Sequence, residues 1–154
     1  MRKSLLVAAL ATTGVVLAST EAGLAHHAVQ NQFDVSVLVE KRGVLSKVDW
    51  INPHAWFHFK EIDKDGKPVL GPDGTQVQWS IETTGPGGLV RAGIADRRLF
   101  EIGKVYSFSG YPARTYDMKT GKGDTTMFTN SITFPDGKTL GIATFQAGQQ
   151  VPGI

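Results

Sequence analysis

Two patterns of apolar residues divide the chain. From Leu5 to Ala18 they run nearly unbroken, interrupted only by Thr12, Thr13 and Gly14. Beyond Val37 they come instead in short stretches that alternate with polar residues on the two-residue period of a β-strand. Val37 to Ile51 is rich in β-branched residues, with Gly43 in its middle. Val44, Val48 and Trp50 share one parity there, which predicts a long first strand bent at the glycine. Asn52-Pro53 marks a turn, because proline cannot donate to a ladder and restricts the residue before it. From Ala55 to Ile62 the alternation is clean: Ala55, Phe57 and Phe59 point one way, Trp56, His58 and Lys60 the other. Turn chemistry at Lys64-Asp65-Gly66-Lys67 and Pro72-Asp73-Gly74 leads to a third strand, Gln76 to Glu82, with Val77, Trp79 and Ile81 inward. Pro86 then suits the first turn of a short helix with Leu89 and Val90 as its apolar face and Gly93 as its end. Val105 to Tyr111 forms the next strand. Thr125 to Phe134 and Lys138 to Phe145 make a final hairpin around Pro135-Asp136-Gly137.

Three strands, one short helix and two or three further strands is the order of a small OB-like Greek-key barrel, and a bent first strand fits it. A generic antiparallel sandwich is the rival architecture. The fold class is therefore mostly β, preceded by a segment of a different kind. Met1-Arg2-Lys3-Ser4 is basic, the apolar run is shorter than the roughly 20 residues that span a bilayer, and Gly23 and Ala25 set small residues where a signal peptidase needs them. The expected organisation is a signal peptide over residues 1–25, an extended N-terminal arm over 26–35, the barrel over 36–146 and a mobile tail over 147–154. Localisation is expected to be periplasmic or secreted, with no membrane insertion after processing.

Charge and composition narrow the function classes. Removing Arg2, Lys3 and Glu21 from 16 basic and 14 acidic residues leaves 14 and 13, so the processed chain has no electrostatic case for binding nucleic acid or an anionic membrane. There is no cysteine, which excludes disulfides and every thiolate-based metal, redox or nucleophile scheme.

All four histidines fall in two pairs, His26-His27 and His54 with His58. Cleavage after Ala25 would give His26 a free α-amine, so that its amine and imidazole chelate one metal and a neutral imidazole from elsewhere completes three nitrogens. Such a histidine brace suits Cu(II) better than a hard cation. His54 is the better third donor, since it lies beside Pro53 in the loop joining the first two strands, which borders the usual ligand face of an OB barrel. His58 lies roughly 13 Å further along an extended strand and is expected to stay out of the site, while His27 is auxiliary. The plainer reading is that His54 bonds a turn and His58 sits on a solvated face.

Other features carry less. Gly85-Pro86-Gly87-Gly88 lacks the lysine and spacing of a phosphate loop and reads first as a turn. Asp63, Asp65 and Gly66 lack the later ligands of a calcium loop. Of the tryptophans, Trp50 and Trp79 share parity with core positions and Trp56 is expected outside. On a barrel face without metal, Trp56, His58, Tyr111 and Tyr116 are the candidate ligand contacts.

Ala25-His26-His27-Ala28, the run from Val44 through Asn52-Pro53-His54-Ala55-Trp56, and Gly103-Lys104-Val105 to Gly110-Tyr111-Pro112-Ala113 together resemble a widespread family of small secreted bacterial proteins of unknown function. Its usual pattern is a mature His-His-Ser start, an Asn-Pro-His segment and a later Gly-Asp-x-Val-x-Val-x-Gly-Tyr strand. This chain departs from it at Ala28 and Lys104. The resemblance covers most of the processed chain and implies export and a small β-rich domain, but no activity.

The leading functional expectation is thus a binding domain that holds copper or a similar divalent transition metal through His26 and His54. The alternatives are a metal-free accessory module that binds a small molecule or a periplasmic protein partner, and a copper-dependent redox enzyme. A binding role stands ahead of an enzymatic one. The small residues Gly23 and Ala25 predict that intact-mass measurement of protein exported by a native-like host gives an N-terminus at His26; a terminus at Gly23 or Met1 would remove the basis of the brace.

Overall fold

Alternation over Val39–Asp49 (β1), Trp56–Glu61 (β2), Gln78–Glu82 (β3), Val105–Pro112 (β4), Thr126–Thr133 (β5) and Thr139–Gly141 (β6) produces strands in a computed structural model that describes residues 29–142. Between β3 and β4 lie the helix α1 (Pro86–Arg91) and a single 3-10 turn (Arg97–Leu99). The strands hydrogen-bond in the order β3-β2-β1-β4-β5-β6, and β3 pairs a second time, in parallel, with β5. The circuit β1-β2-β3-β5-β4 therefore closes on itself, and the molecule is a small mixed barrel of five strands with β6 appended to β5 and only short helical elements. Closure excludes the two-sheet sandwich.

The first strand behaves differently from its expected form. Gly43 lies within β1, but the irregularity falls three residues later: Leu45 pairs with Phe59 and Lys47 with His58, leaving Ser46 as the extra residue of a bulge. The bulge switches parity, so that Val39, Gly43 and Leu45 face inward before it while Val48 and Trp50 pack on the core after it. Val44 thus does not share the inward side with Val48, a slip that an unbroken two-residue period cannot show. Gly43 serves close approach instead, since a Cβ there would stand 2.9 Å from both the Lys60 carbonyl oxygen and the Phe59 Cβ.

Leu45, Phe57, Phe59, Trp79, Ile81 and Phe108 form the barrel interior with Tyr106, Met127 and Ile132, each 0–1 % exposed. Val77 and Trp50 are half-buried at its edge. The Phe59 and Phe108 rings stack at 4.5 Å, and Phe100 from the crossover closes over Phe57 at 4.4 Å. In α1, Leu89 is wholly buried, but Val90, expected beside it, is 52 % exposed because a helix of under two turns turns only one residue inward. The final hairpin turns at Gly137 as its sequence requires, with φ of 86°; β6 ends at Gly141, and Phe145 and the tail over 147–154 lie outside the described residues. Among the described residues no helix is long and apolar enough to cross a membrane.

The segment before β1 is not extended throughout. Residues 29–32 make a helical turn, and Phe33, which follows, is 1 % exposed and packs with Tyr111 and Phe128 in a second apolar cluster outside the barrel.

Because Phe57 sits wholly inside and touches Phe100, Phe57→Ala is expected to cost about 3–5 kcal/mol in urea denaturation. Lys60→Ala on the opposite face should stay within about 0.5 kcal/mol of wild type. Similar losses at both positions would contradict the register.

Candidate functional site

The loop over residues 50–55 carries His54, and it is fixed by the backbone that follows β3. Ala55 N–H donates to the Thr84 carbonyl and Thr83 N–H to the Ala55 carbonyl, at 3.3 and 2.9 Å. Gly85 lets this contact form: a Cβ there would lie 2.3 Å from the Pro53 carbonyl oxygen. The Asn52-Pro53 bond is cis. Held this way, the imidazole of His54 is 40 % exposed and sets Nδ1 directly against Oε1 of Glu82, whose side chain is 9 % exposed. A carboxylate accepts only, so Nδ1 donates and the lone pair resides on Nε2. A carboxylate behind the ring fixes its tautomer and orientation in the way seen behind metal-binding histidines.

Glu82 ends β3 on the outward side, opposite the parity of Trp79 and Ile81. Its neighbours in the sheet are Trp56 on β2 and Phe128 on β5. Phe128 is the residue on which Phe33 packs, with ring centroids 5.8 Å apart. The arm therefore seats one strand away, roughly 4.8 Å, from the strand that carries Glu82. His26 precedes Phe33 by seven residues and Val29 by three. His26 and His27 themselves lie outside the described residues. Among the described residues, no group of three or more histidine, aspartate or glutamate side chains comes together to hold a metal.

His58 occupies a different part of the same face. Its Nε2 is 3.0 Å from Oδ2 of Asp49 and its Nδ1 2.9 Å from Oγ of Ser80, the residue opposite it on β3. Asp49 in turn holds Lys47 at 2.8 Å. Both ring nitrogens are thus engaged. The hydrogen bond from Lys47, then that from His58, holds the Asp49 carboxyl below the ordinary carboxylate range. A serine, an imidazole and a carboxylate in line suggest nucleophile activation, yet the Ser80 backbone N–H is already bonded to the Thr125 carbonyl and offers no oxyanion donor.

The remaining candidates separate. Trp56 is half-buried on the outer face beside Glu82. Tyr111 is 6 % exposed within the Phe33 cluster. Tyr116 stands apart, in the β4–β5 loop, edge-on to Trp79 at 4.9 Å. Of the two weaker motifs, the glycines after Thr84 are packing positions, Gly88 lying against the Thr84 side chain, and Asp63 caps its own turn by accepting from the Asp65 and Lys67 N–H groups. Glu82 is the site residue that the sequence did not single out. Its outward parity was readable, but its pairing with His54 depends on a loop geometry that parity does not encode.

A family model described as a family of unknown function (DUF6152) matches residues 14–122, more than half of the chain. No curated protein matches it.

The depressed Asp49 carboxyl carries a sign. Its stabilising contribution is present above the ordinary carboxylate value of about 3.9 and is lost as pH falls through the lower folded value. Urea midpoints of wild type and Asp49→Asn should therefore differ by a constant amount between about pH 5 and 6, roughly one unit or more above the ordinary carboxylate value, and converge on further acidification. A gap that widens in acid would contradict the assignment.

Proposed function

The chain belongs to DUF6152, and because that description assigns no activity we propose a function from the site itself: an exported OB-like Greek-key domain that binds a divalent transition metal, copper foremost. The strand circuit β1-β2-β3-β5-β4, with the helix between β3 and β4, supports the OB-like reading. The proposed ligands are the α-amine and imidazole of His26, freed by cleavage after Ala25, and Nε2 of His54, with His27 auxiliary. The observation that carries this reading is the His54–Glu82 pair beside the seat of the N-terminal arm. Glu82 fixes the tautomer that leaves Nε2 able to ligate, and three nitrogens without sulfur suit Cu(II). A copper-dependent redox enzyme would use the same donors and requires in addition an open coordination position and a substrate surface.

A second reading has its own observation. The β2–β3 connection and the β4–β5 loop enclose a cleft of about 520 Å³ lined by Lys41, Glu61, Leu70, Tyr116, Met118 and Lys122. An accessory module that binds a small molecule would use this cleft and no metal.

Calorimetric titration of processed protein with Cu(II) distinguishes the two. One equivalent is expected to bind. His54→Ala or an N-terminal extension should weaken binding by at least tenfold, and Glu82→Gln by about tenfold, the scale of lost outer-shell support. His58→Ala should leave binding unchanged, and affinity should fall on acidification as protons compete for the nitrogens. Equal binding by all five forms, or none by the wild type, would defeat the copper reading in favour of the accessory module.

A further inference from the structure

Glu61 is the one buried residue that lines the cleft between the β2–β3 connection and the β4–β5 loop. Both of its carboxylate oxygens are engaged: Oε1 accepts from Lys41 Nζ at 2.9 Å and Oε2 from the Trp79 indole N–H at 2.7 Å. The same lysine lies 5.5 Å from the centre of the Trp79 ring, and Tyr116 meets that ring edge-on. Both walls of the cleft hold their shape through their own contacts. The β2–β3 connection bridges Leu70 to Gln76, and Gly71 N–H donates to the Thr75 carbonyl at 2.8 Å. The β4–β5 loop bridges Asp117 to Lys122, and the Asp117 carboxylate accepts from the Lys119 N–H and the Thr120 hydroxyl at 2.8 and 2.7 Å. Yet each wall leaves a large apolar side chain in solvent, Leu70 at 61 % and Met118 at 52 % exposed. One such residue alone is ordinary. Two of them lining one cleft of about 520 Å³, within the size range of small-molecule sites, make an apolar seat.

The charges around that seat are of one prevailing sign. Lys41, Lys119 and Lys122 face the single acid Glu61, three positive against one negative, which leaves +2. Glu61 is matched by Lys41, and each of its oxygens already accepts a hydrogen bond, so a cation entering the cleft meets no unmatched acid. Lys119 and Lys122 are exposed and make no side-chain hydrogen bond or ion pair among the described residues; Lys122 acts on Asp117 only through space. Counting Asp117, which is not part of the lining, still leaves +1. We infer that the cleft binds a small organic anion, its apolar body against Leu70, Met118 and Tyr116 and its acidic group at Lys119 and Lys122. The inference rests on the accessory-module reading of this cleft and names its ligand class; it does not involve His54. Because Glu61 ties the Trp79 indole to the cleft, that N–H reports occupancy.

The experiment titrates isotopically labelled protein with anilinonaphthalene sulfonate, an anion with an apolar body, and with its neutral counterpart N-phenylnaphthylamine. Probe fluorescence and the indole N–H resonances of Trp50, Trp56 and Trp79 are followed together. The sulfonate is expected to saturate one site and to shift the Trp79 resonance while the other two stay in place. The neutral probe should bind about tenfold more weakly. Lys119→Gln and Lys122→Gln should each weaken the sulfonate about threefold and together about tenfold, the scale of exposed ion pairs, with the neutral probe and the thermal midpoint unchanged. Lys104→Gln with Lys138→Gln, exposed and outside the lining, should leave both probes unaffected. Equal affinity for the two probes with the Trp79 shift retained would overturn the anion and leave the small-molecule reading of the cleft standing, as would equal losses in the two lysine pairs. Absence of saturable binding, or shifts that spare Trp79, would overturn both.

Discussion

The parallel pairing of Ser80–Glu82 with Thr126–Phe128 is the contact on which the rest of the structure depends. Without it the sheet would be an open ribbon with β3 as a bare edge, and the apolar residues of β2, β3 and β5 would have no enclosed interior. Closure also decides what lies side by side on the outside. It places Glu82, the partner of His54, next to Phe128, the seat of the arm. Two segments nearly fifty residues apart on either side of this junction thus meet through one short ladder, reinforced by the Thr129 hydroxyl donating to the Glu82 carbonyl at 2.7 Å.

That junction gives the two described histidines opposite characters. His58 is built into a strand whose neighbours supply an acceptor and a hydroxyl, so its ring completes a polar row running from Lys47 to Ser80. His54 is carried by a loop, sets Nδ1 against one carboxylate and is 40 % exposed. Chemistry that needs an available imidazole with a fixed tautomer has only the second to use among the described residues. A single fixed imidazole is a weak ligand by itself, so the proposed site also needs the donors of the processed terminus.

Much of the barrel was legible in the alternation. The inward set Phe57, Phe59, Trp79, Ile81 and Phe108 follows from parity, because a one-residue slip would expose all of it. The turns at Gly66, Gly74 and Gly137 follow from backbone chemistry that only glycine adopts readily, with φ near 80° at each. The bulge at Ser46 was not legible: it inserts one residue and reverses parity, and no residue type announces that. The arm was misread for a related reason. Phe33 is a lone apolar residue in a polar stretch, and its burial depends on Tyr111 and Phe128, which are distant in sequence. The loop position of His54 was legible, but its pairing with Glu82 is a tertiary contact that periodicity cannot reveal.

The central claim is that the processed terminus and His54 meet on one metal beside the β3–β5 junction. Amide resonances of processed, isotopically labelled protein titrated with substoichiometric Cu(II) test it most directly, since the paramagnetic ion broadens only nearby nuclei. The account predicts loss of signal at His54, Ala55, Glu82 and Phe128 together with the first residues of the chain. Broadening confined to the first residues, or centred on His58 and Ser80, would contradict it.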